Sequence, residues 1–465
     1  MTNERNGVFK LMKLAERRRE LFKFPAKAIA RSFILVILVG TVILMLPISS
    51  KDGRFTDFLD ALFTATSATC VTGLIVFDTY TKWTVFGQVI ILMLIQIGGL
   101  GLVTITTFFN VALGKKLGLR SMQLAQESIN STSIIDISGI IRFVVTASLS
   151  IELLGAVMLS FTFVPKYGFE GIWISIFLAV SGFCNAGFDI LGRETPFISL
   201  SNYTGSFNVN FTICMLIIVG GLGFIVWKDL YNYKKNKKLL LHTKIVLSVT
   251  GILIVSGFLM FMIMEWNNPK TMGGLSFFEK IGAAFFQSVT SRTAGFNTID
   301  ICALNGGTKV LTSLLMFIGA APGSTGGGIK VTTATVVIMT VYSVIRGKDE
   351  TSIMKRTISP NAVYKSLAIL VMALVAVSIC SGVMVSTLHN SLYTGTDTFF
   401  ESVSAFATVG LSCGVTSVAN VPSKILLIML MFLGRVGPVS FALSLAMKGI
   451  TTKKEILPEA KIMVG

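Results

Sequence analysis

The sequence predicts an all-α polytopic membrane protein in which one unit is repeated four times around a central axis. Each unit is an outer helix, a short re-entrant half-helix and an inner helix. Three observations predict this. The 465 residues are 52% hydrophobic and only 14% charged, with a mean hydropathy of +0.76; a soluble domain carries about 25% charged residues. Lys and Arg are gathered in five segments between apolar blocks, and four short glycine strings recur at near-constant spacing. The same composition excludes a water-soluble enzyme as the main body, and it excludes a disordered chain, which needs low hydrophobicity.

The apolar blocks run from near residue 32 to near residue 447, many of them reaching the roughly 20 residues that a spanning helix needs. Segments 1–31, 114–142, 228–244, 345–365 and 448–465 hold 28 of the 40 Lys and Arg and 10 of the 23 acidic residues. Their net charge is therefore +18, and the rest of the chain sums to −1. This distribution argues against nucleic acid as a partner, since the charge flanks spans and forms no single basic face. Cytoplasmic loops are enriched in Lys and Arg, so the five segments are expected inside, with both termini cytoplasmic.

The strings Thr72-Gly73-Leu74, Ala186-Gly187-Phe188, Ala294-Gly295-Phe296 and Val409-Gly410-Leu411 look alike, and their glycines are 114, 108 and 115 residues apart. A fixed period signals repeated structural units. The repeats are placed at 32–113, 114–227 (with a leading cytoplasmic loop), 228–345 and 346–447, flanked by basic tails at 1–31 and 448–465. The outer helices are expected at 32–48, 143–163, 245–264 and 367–388. Half-helices follow at 56–69, 170–183, 276–291 and 397–407, too short to span about 30 Å of hydrocarbon. Inner helices are expected at 85–113, 207–227, 311–345 and 424–447. Because a re-entrant piece returns to its starting side, each unit enters and leaves on the inside, which is where the basic segments fall. The count is eight spanning helices and four half-helices.

Non-helical backbone at membrane depth is tolerated only where it is buried in protein or lines a water-filled path. Four such loops around one axis would present rings of carbonyl oxygens, the chemistry that replaces the hydration shell of an alkali cation. Glycine supplies the backbone freedom this needs. The candidate ion filter is Cys70, Val71, Thr72 and Gly73; Cys184, Asn185, Ala186 and Gly187; Thr293, Ala294 and Gly295; and Ala407, Thr408, Val409 and Gly410. Four loops at matched positions make an ordinary turn a poor explanation.

These strings, in this order and over essentially the whole chain, resemble the Ktr/Trk/HKT superfamily of potassium transporters, most closely its KtrB-type membrane subunits. The resemblance implies one pore per chain with potassium ions at the filter residues, and Gly73 in the first string implies potassium selectivity. It also implies homodimers standing on a cytosolic ring of KtrA-like nucleotide-binding regulatory subunits. The sequence has no nucleotide-binding fingerprint and no sign of a covalent cofactor, so nucleotide would act only through that separate partner. Sodium stimulation and a plasma-membrane location follow from the same resemblance.

The inner segments carry Gly98-Gly99-Leu100-Gly101, Gly220-Gly221-Leu222-Gly223, Gly319-Ala320-Ala321-Pro322 and Gly434-Arg435-Val436-Gly437. Close helix packing through small residues explains the first two. In the third, Gly319, Ala320, Ala321, Pro322, Gly323, Ser324, Thr325, Gly326, Gly327 and Gly328 cannot continue a regular helix. They are expected to form a loosely held intramembrane loop that the resemblance implies is a gate, with Arg435 beside it. The run is not a phosphate loop, because Lys330 stands after Ile329 and no strand precedes it. Ionisable residues at membrane depth are functional candidates. Glu152 is expected to be a structural clamp to backbone or hydroxyl groups, Arg292 a support for the third pore loop, and Lys330 a structural charge next to the gate. The six cysteines show no metal or disulfide spacing and are expected to be buried thiols.

Enzyme chemistry lacks its parts: His242 and His389 are the only histidines and fall on opposite sides. The competing class is a sodium-coupled secondary transporter of another small solute, but such proteins are usually built from inverted repeats. The basic segment 228–244, with lysines at 228, 234, 235, 237 and 238, suits either the regulatory partner or anionic membrane lipid.

Overall fold

The computed structural model describes residues 25–113, 119–128, 137–193, 195–388 and 393–437. The expected cytoplasmic tail up to residue 24, His389, the end of the fourth inner segment (438–447) and the tail 448–465 lie outside the described residues. Among the described residues, four helices are individually long and apolar enough to cross a membrane. They are the four outer helices, Pro25–Met45, Ile137–Tyr167, Leu241–Glu265 and Pro360–Thr387. Their outward faces stay apolar: in the first, Leu35, Val39 and Val42 are exposed while Phe33, Ile37 and Leu44 are buried. A helix apolar on all sides suits hydrocarbon on one face and protein on the other.

A half-helix follows each outer helix, at Phe58–Thr69, Phe169–Cys184, Phe277–Thr290 and Gly395–Ala407. Their starts are fixed by polar caps. The Asp57 carboxylate accepts from the Leu59 amide at 2.9 Å. Ser276 with Glu279 and Thr394 with Asp397 form reciprocal capping boxes, which satisfy orphan amides of the first turn. The second half-helix instead follows its outer helix after a single residue, Gly168, at φ +61°.

The first and second inner segments are interrupted, where the sequence suggests continuous helices. The first comprises Val85–Leu100 and Leu102–Ala112, bent by 88°, and the second Phe207–Leu222 and Phe224–Asn236, bent by 93°. The breaks fall at Gly101 and Gly223, the last glycines of the two matching motifs, at φ +84° and +91°. At Gly437, the same place in repeat four, φ is +93° and the helix Val421–Val436 ends. These angles favour glycine, and no α-helix continues through them. The third segment has Pro322 at this place and opens into a loop between Gly306–Phe317 and Val331–Ile345.

In motifs one, two and four the first glycine has a different use. A β-carbon on Gly98, Gly220 or Gly434 would overlap the carbonyl oxygen of Thr69, Phe183 or Phe406, respectively, at the end of that repeat's own half-helix. Each inner helix also packs against the half-helix of the next repeat, and the fourth packs against the first. The four units therefore close into a ring.

Two of those seams carry ion pairs. Lys309 meets Asp397 at 2.7 Å and Lys424 meets Asp60 at 2.6 Å. At the same position, ten residues before the first motif glycine, repeats one and two carry Gln88 and Asn210. Gln88 accepts from Trp173 Nε1 at 2.9 Å across its seam.

Candidate functional site

The four glycine strings meet at the centre. A β-carbon on Gly73 would lie 2.5 Å from the carbonyl oxygen of Ala186, one on Gly187 2.6 Å from that of Ala294, and one on Gly295 2.5 Å from that of Val409. One on Gly410 would overlap the carbonyl oxygen of Thr72. Each glycine is thus pressed against the residue preceding the glycine of the next repeat, and the fourth closes on the first. At none of the four glycines does a side chain fit without displacing a neighbouring carbonyl.

One backbone conformation produces it four times. Val71, Asn185, Thr293 and Thr408 are left-handed, with φ of 57°, 60°, 71° and 51°. The glycines two residues later have φ of 92°, 69°, 84° and 90°. Left-handed geometry is uncommon for β-branched residues, so three of the four strings hold backbone strain that the surrounding packing sustains. Amides point back toward the half-helices: Thr72, Ala186, Ala294 and Val409 donate to the carbonyls of Ser67, Ser181, Thr290 and Ser404 at 2.8–3.0 Å. The Ser67 and Ser404 hydroxyls accept from the amides of Gly73 and Gly410 at 3.1 and 3.0 Å. In repeat three Thr290 Oγ1 donates to the Phe296 carbonyl at 2.6 Å. Among the described residues, no hydrogen bond ends on the carbonyl oxygens of Thr72, Ala186, Ala294 or Val409. Ser67, Ser181 and Ser404 each stand six residues before the string glycine, a match visible once the repeats are aligned.

The geometry suits a cation for a second reason. Each half-helix leads with its C-terminal end directly into a string, and that end carries roughly half a negative elementary charge. Four such ends and four sets of backbone carbonyls converge without a carboxylate in any string.

The residue three before each glycine marks where chain leaves helix: Cys70, Cys184, Arg292 and Ala407, all buried. Arg292 donates to the carbonyls of Thr250 and Gly319 at 3.3 Å each. Through these bonds it ties the third string to its own outer helix and to Gly319, the first residue of the glycine-rich loop 319–328. Cys302 departs from the expectation of buried thiols: it follows Asp300 in a turn beyond the third string and is exposed.

The loop between Phe317 and Val331 lies directly against the strings. A β-carbon on Gly326 or Gly327 would strike the Thr293 or Thr408 hydroxyl, and one on Gly328 would approach the Ala407 carbonyl oxygen at 3.2 Å. The expectation of a loosely held loop is corrected. Its ends are pinned to each other by Gly319 N to Ile329 O at 2.9 Å and Val331 N to Ala320 O at 3.2 Å. Its first half is laced to the break in the second inner segment by Ala321 N to Gly221 O, Thr325 N to Gly220 O and Phe224 N to Gly323 O, at 3.0, 3.3 and 2.8 Å. Glycines lower side-chain packing but leave every amide and carbonyl available for such bonds. Ser324 Oγ donates to Ala321 O, Lys330 Nζ donates to Gly326 O, and the Pro322 carbonyl lies against Gly223.

Arg435 closes the arrangement. Its guanidinium donates to the carbonyls of Thr325, Gly98 and Gly99. The positive charge is therefore engaged by backbone oxygens of the loop and of the first inner helix, and it is not a free barrier. A cavity of about 320 Å³ lies on this side of the loop, bordered by Gly99, Ser128, Phe224, Lys330 and Arg435. Glu152 is buried and accepts from Gln96 Nε2 at 3.0 and 3.1 Å and from the Cys184 thiol at 3.9 Å. Its partners are an amide and a thiol, not the backbone or hydroxyl groups expected. Gln96 had no signal in the sequence beyond being a polar residue in an apolar run.

Four re-entrant loops closed into one carbonyl-lined ring define a four-repeat pore-loop membrane protein. The chain belongs to the TrkH family of cation transport proteins, whose family model matches residues 12–451. It is 43% identical to the Ktr system potassium uptake protein B of Bacillus subtilis, over 91% of this chain and 93% of that one. It is 39% identical to the potassium/sodium uptake protein NtpJ of Enterococcus hirae, over 95% and 97%. The crystal structure of the potassium transporter TrkH from Vibrio parahaemolyticus shares the fold, with a TM-score of 0.66 and 19% identity over 90% of this chain and 85% of that one. The protein is a multi-pass membrane protein of a cation transporter family.

Proposed function

We propose that this chain is the ion-translocating membrane subunit of a potassium uptake system, with the four strings as its selectivity filter. The observation that carries the reading is the closed ring of four glycines, each against the carbonyl of the next repeat. Carbonyl oxygens of Thr72, Ala186, Ala294 and Val409 replace the hydration shell of a potassium ion, which is cargo and not cofactor. The names of the Bacillus and Enterococcus relatives support potassium as the ion; sodium, which the Enterococcus name also carries, is the stimulating ion. The loop 319–328 with Arg435 is the gate, because it covers the strings on the side of the cavity. The chain moves ions and catalyses no bond chemistry.

The protein sits in the plasma membrane as a homodimer, with both termini and the basic segments in the cytoplasm. A KtrA-like nucleotide-binding ring beneath it supplies regulation, in keeping with a relative named as one part of a Ktr system. The third inner segment gives that ring a lever. Val331–Ile345 starts at the loop and runs 15 residues, about 22 Å, to Arg346 and Lys348, both exposed.

Radiotracer rubidium and potassium uptake in a host lacking its own potassium uptake systems tests the reading. Co-expression with the soluble partner should restore accumulation at low external potassium. Accumulation of a different solute driven by sodium, without potassium uptake, would favour a secondary transporter instead.

A further inference from the structure

We infer that Glu152 sets ion specificity from behind the filter, by holding Cys184 at the point where the second string leaves its half-helix. The inference rests on the strings being a filter. Three elements meet at this point. Glu152 comes from the second outer helix, Gln96 from the first inner helix, and Cys184 ends the second half-helix. Gln96 Nε2 donates to both Glu152 oxygens at 3.0 and 3.1 Å, and the Cys184 thiol lies within donating distance of Gln96 Oε1 at 3.6 Å and Glu152 Oε1 at 3.9 Å. The three side chains form a closed triangle, with Cys184 fully buried and Glu152 5% exposed.

The thiol has nowhere else to go. A β-carbon on Gly99 would lie 2.6 Å from Cys184 Sγ, so the sulfur sits hard against the first inner helix on one side and the carboxylate on the other. The next residue, Asn185, turns left-handed at φ +60° and begins the string. The position of Sγ therefore fixes where that turn starts, and with it the Ala186 carbonyl that meets Gly73. No Lys or Arg pairs with Glu152 among the described residues. A buried carboxylate without a cation is costly, and it is placed here where its acceptors serve a filter residue. Repeat three has the same arrangement with other chemistry: Arg292, at the position of Cys184, reaches Thr250 on its own outer helix. Glu152 faces the back of the string and does not touch the ion, so it is a positioning residue.

The test uses the full chain in liposomes and reads the potassium-to-sodium permeability ratio, with folding checked by size-exclusion profile. Glu152→Ala and Cys184→Ala should each lower the ratio about tenfold, and the double variant should fall no further, because both remove one coupled contact. Cys184→Ser keeps a donor to Glu152 and should retain most of the ratio, which covers the case in which Glu152→Ala does not fold. Additive losses in the double variant, or equal losses in Cys184→Ser and Cys184→Ala, would overturn the inference. Gly187→Ser separates it from the filter reading. An unchanged ratio in Glu152→Ala and Cys184→Ala beside a lowered ratio in Gly187→Ser would sink the role of Glu152 alone. An unchanged ratio in all three would sink both.

Discussion

Gly410 and Thr72 touch across the join between the last repeat and the first, 338 positions apart in the chain. A β-carbon on Gly410 would overlap the Thr72 carbonyl oxygen. The other three glycines make the equivalent contact with a neighbour in sequence order. This one contact turns a row of repeats into a ring, and it is why the fourth repeat must be complete before the site exists.

Packing at the inner helices should be as intolerant as the ring. Gly434→Ala places a methyl group on the Phe406 carbonyl oxygen. Overpacking of this kind costs about 1–3 kcal/mol. The variant should show a lower midpoint in a detergent thermal-unfolding assay, while Gly251→Ala, which meets open space on the third outer helix, should not.

Arg435→Ala removes every bond that the guanidinium makes to Thr325, Gly98 and Gly99. A bond to a charged group is worth about 1.5–3 kcal/mol, so losing the Thr325 contact alone should shift a closed loop toward open by roughly tenfold or more. Uptake velocity without activation should rise, as it should when several loop glycines are deleted. Unchanged or abolished flux in well-folded protein would mean that the loop is a structural kink.

The seam between repeats three and four should depend on its ion pair. Lys309 and Asp397 are 12% and 8% exposed at the side chain and 2.7 Å apart. Removing one partner of a buried pair costs about 3–5 kcal/mol, because the other is left charged and unpaired. Asp397→Ala should therefore lower thermal stability more than the double change with Lys309→Met, which leaves no orphan charge.

Regulation should come from the partner. The purified chain in liposomes should conduct potassium and ignore ATP, ADP and dinucleotides, and addition of the soluble ring should restore a nucleotide response. A direct response of the chain alone would require a nucleotide site within it.

Much of the fold is legible before any coordinates because hydropathy, charge and spacing report it independently. The half-helix Phe58–Thr69 falls within two residues of its expected start, since a short apolar stretch ending on glycine leaves little choice. The breaks at Gly101 and Gly223 were not legible. Their motifs also satisfy the rule for close packing, and hydropathy carries no information on a backbone angle. The left-handed Val71, Thr293 and Thr408 run against local preference, as strained functional backbone does. The loop at 319–328 was visible as a break, but its tight bonding was not, because backbone hydrogen bonds leave no mark on residue type. Gln96 as a partner of Glu152 depends on packing between two repeats, and Cys184 on packing of two helices within one, neither of which a single sequence displays.

The most direct measurement of the central claim is the potassium-to-sodium permeability ratio of Gly73→Ser in liposomes. The side chain would come within 2.5 Å of the Ala186 carbonyl oxygen and would occupy a backbone at φ +92°. The carbonyl ring must deform, so the ratio should fall while cation flux persists. A folded Gly73→Ser protein with an unchanged ratio would contradict the assignment of the four strings as the filter.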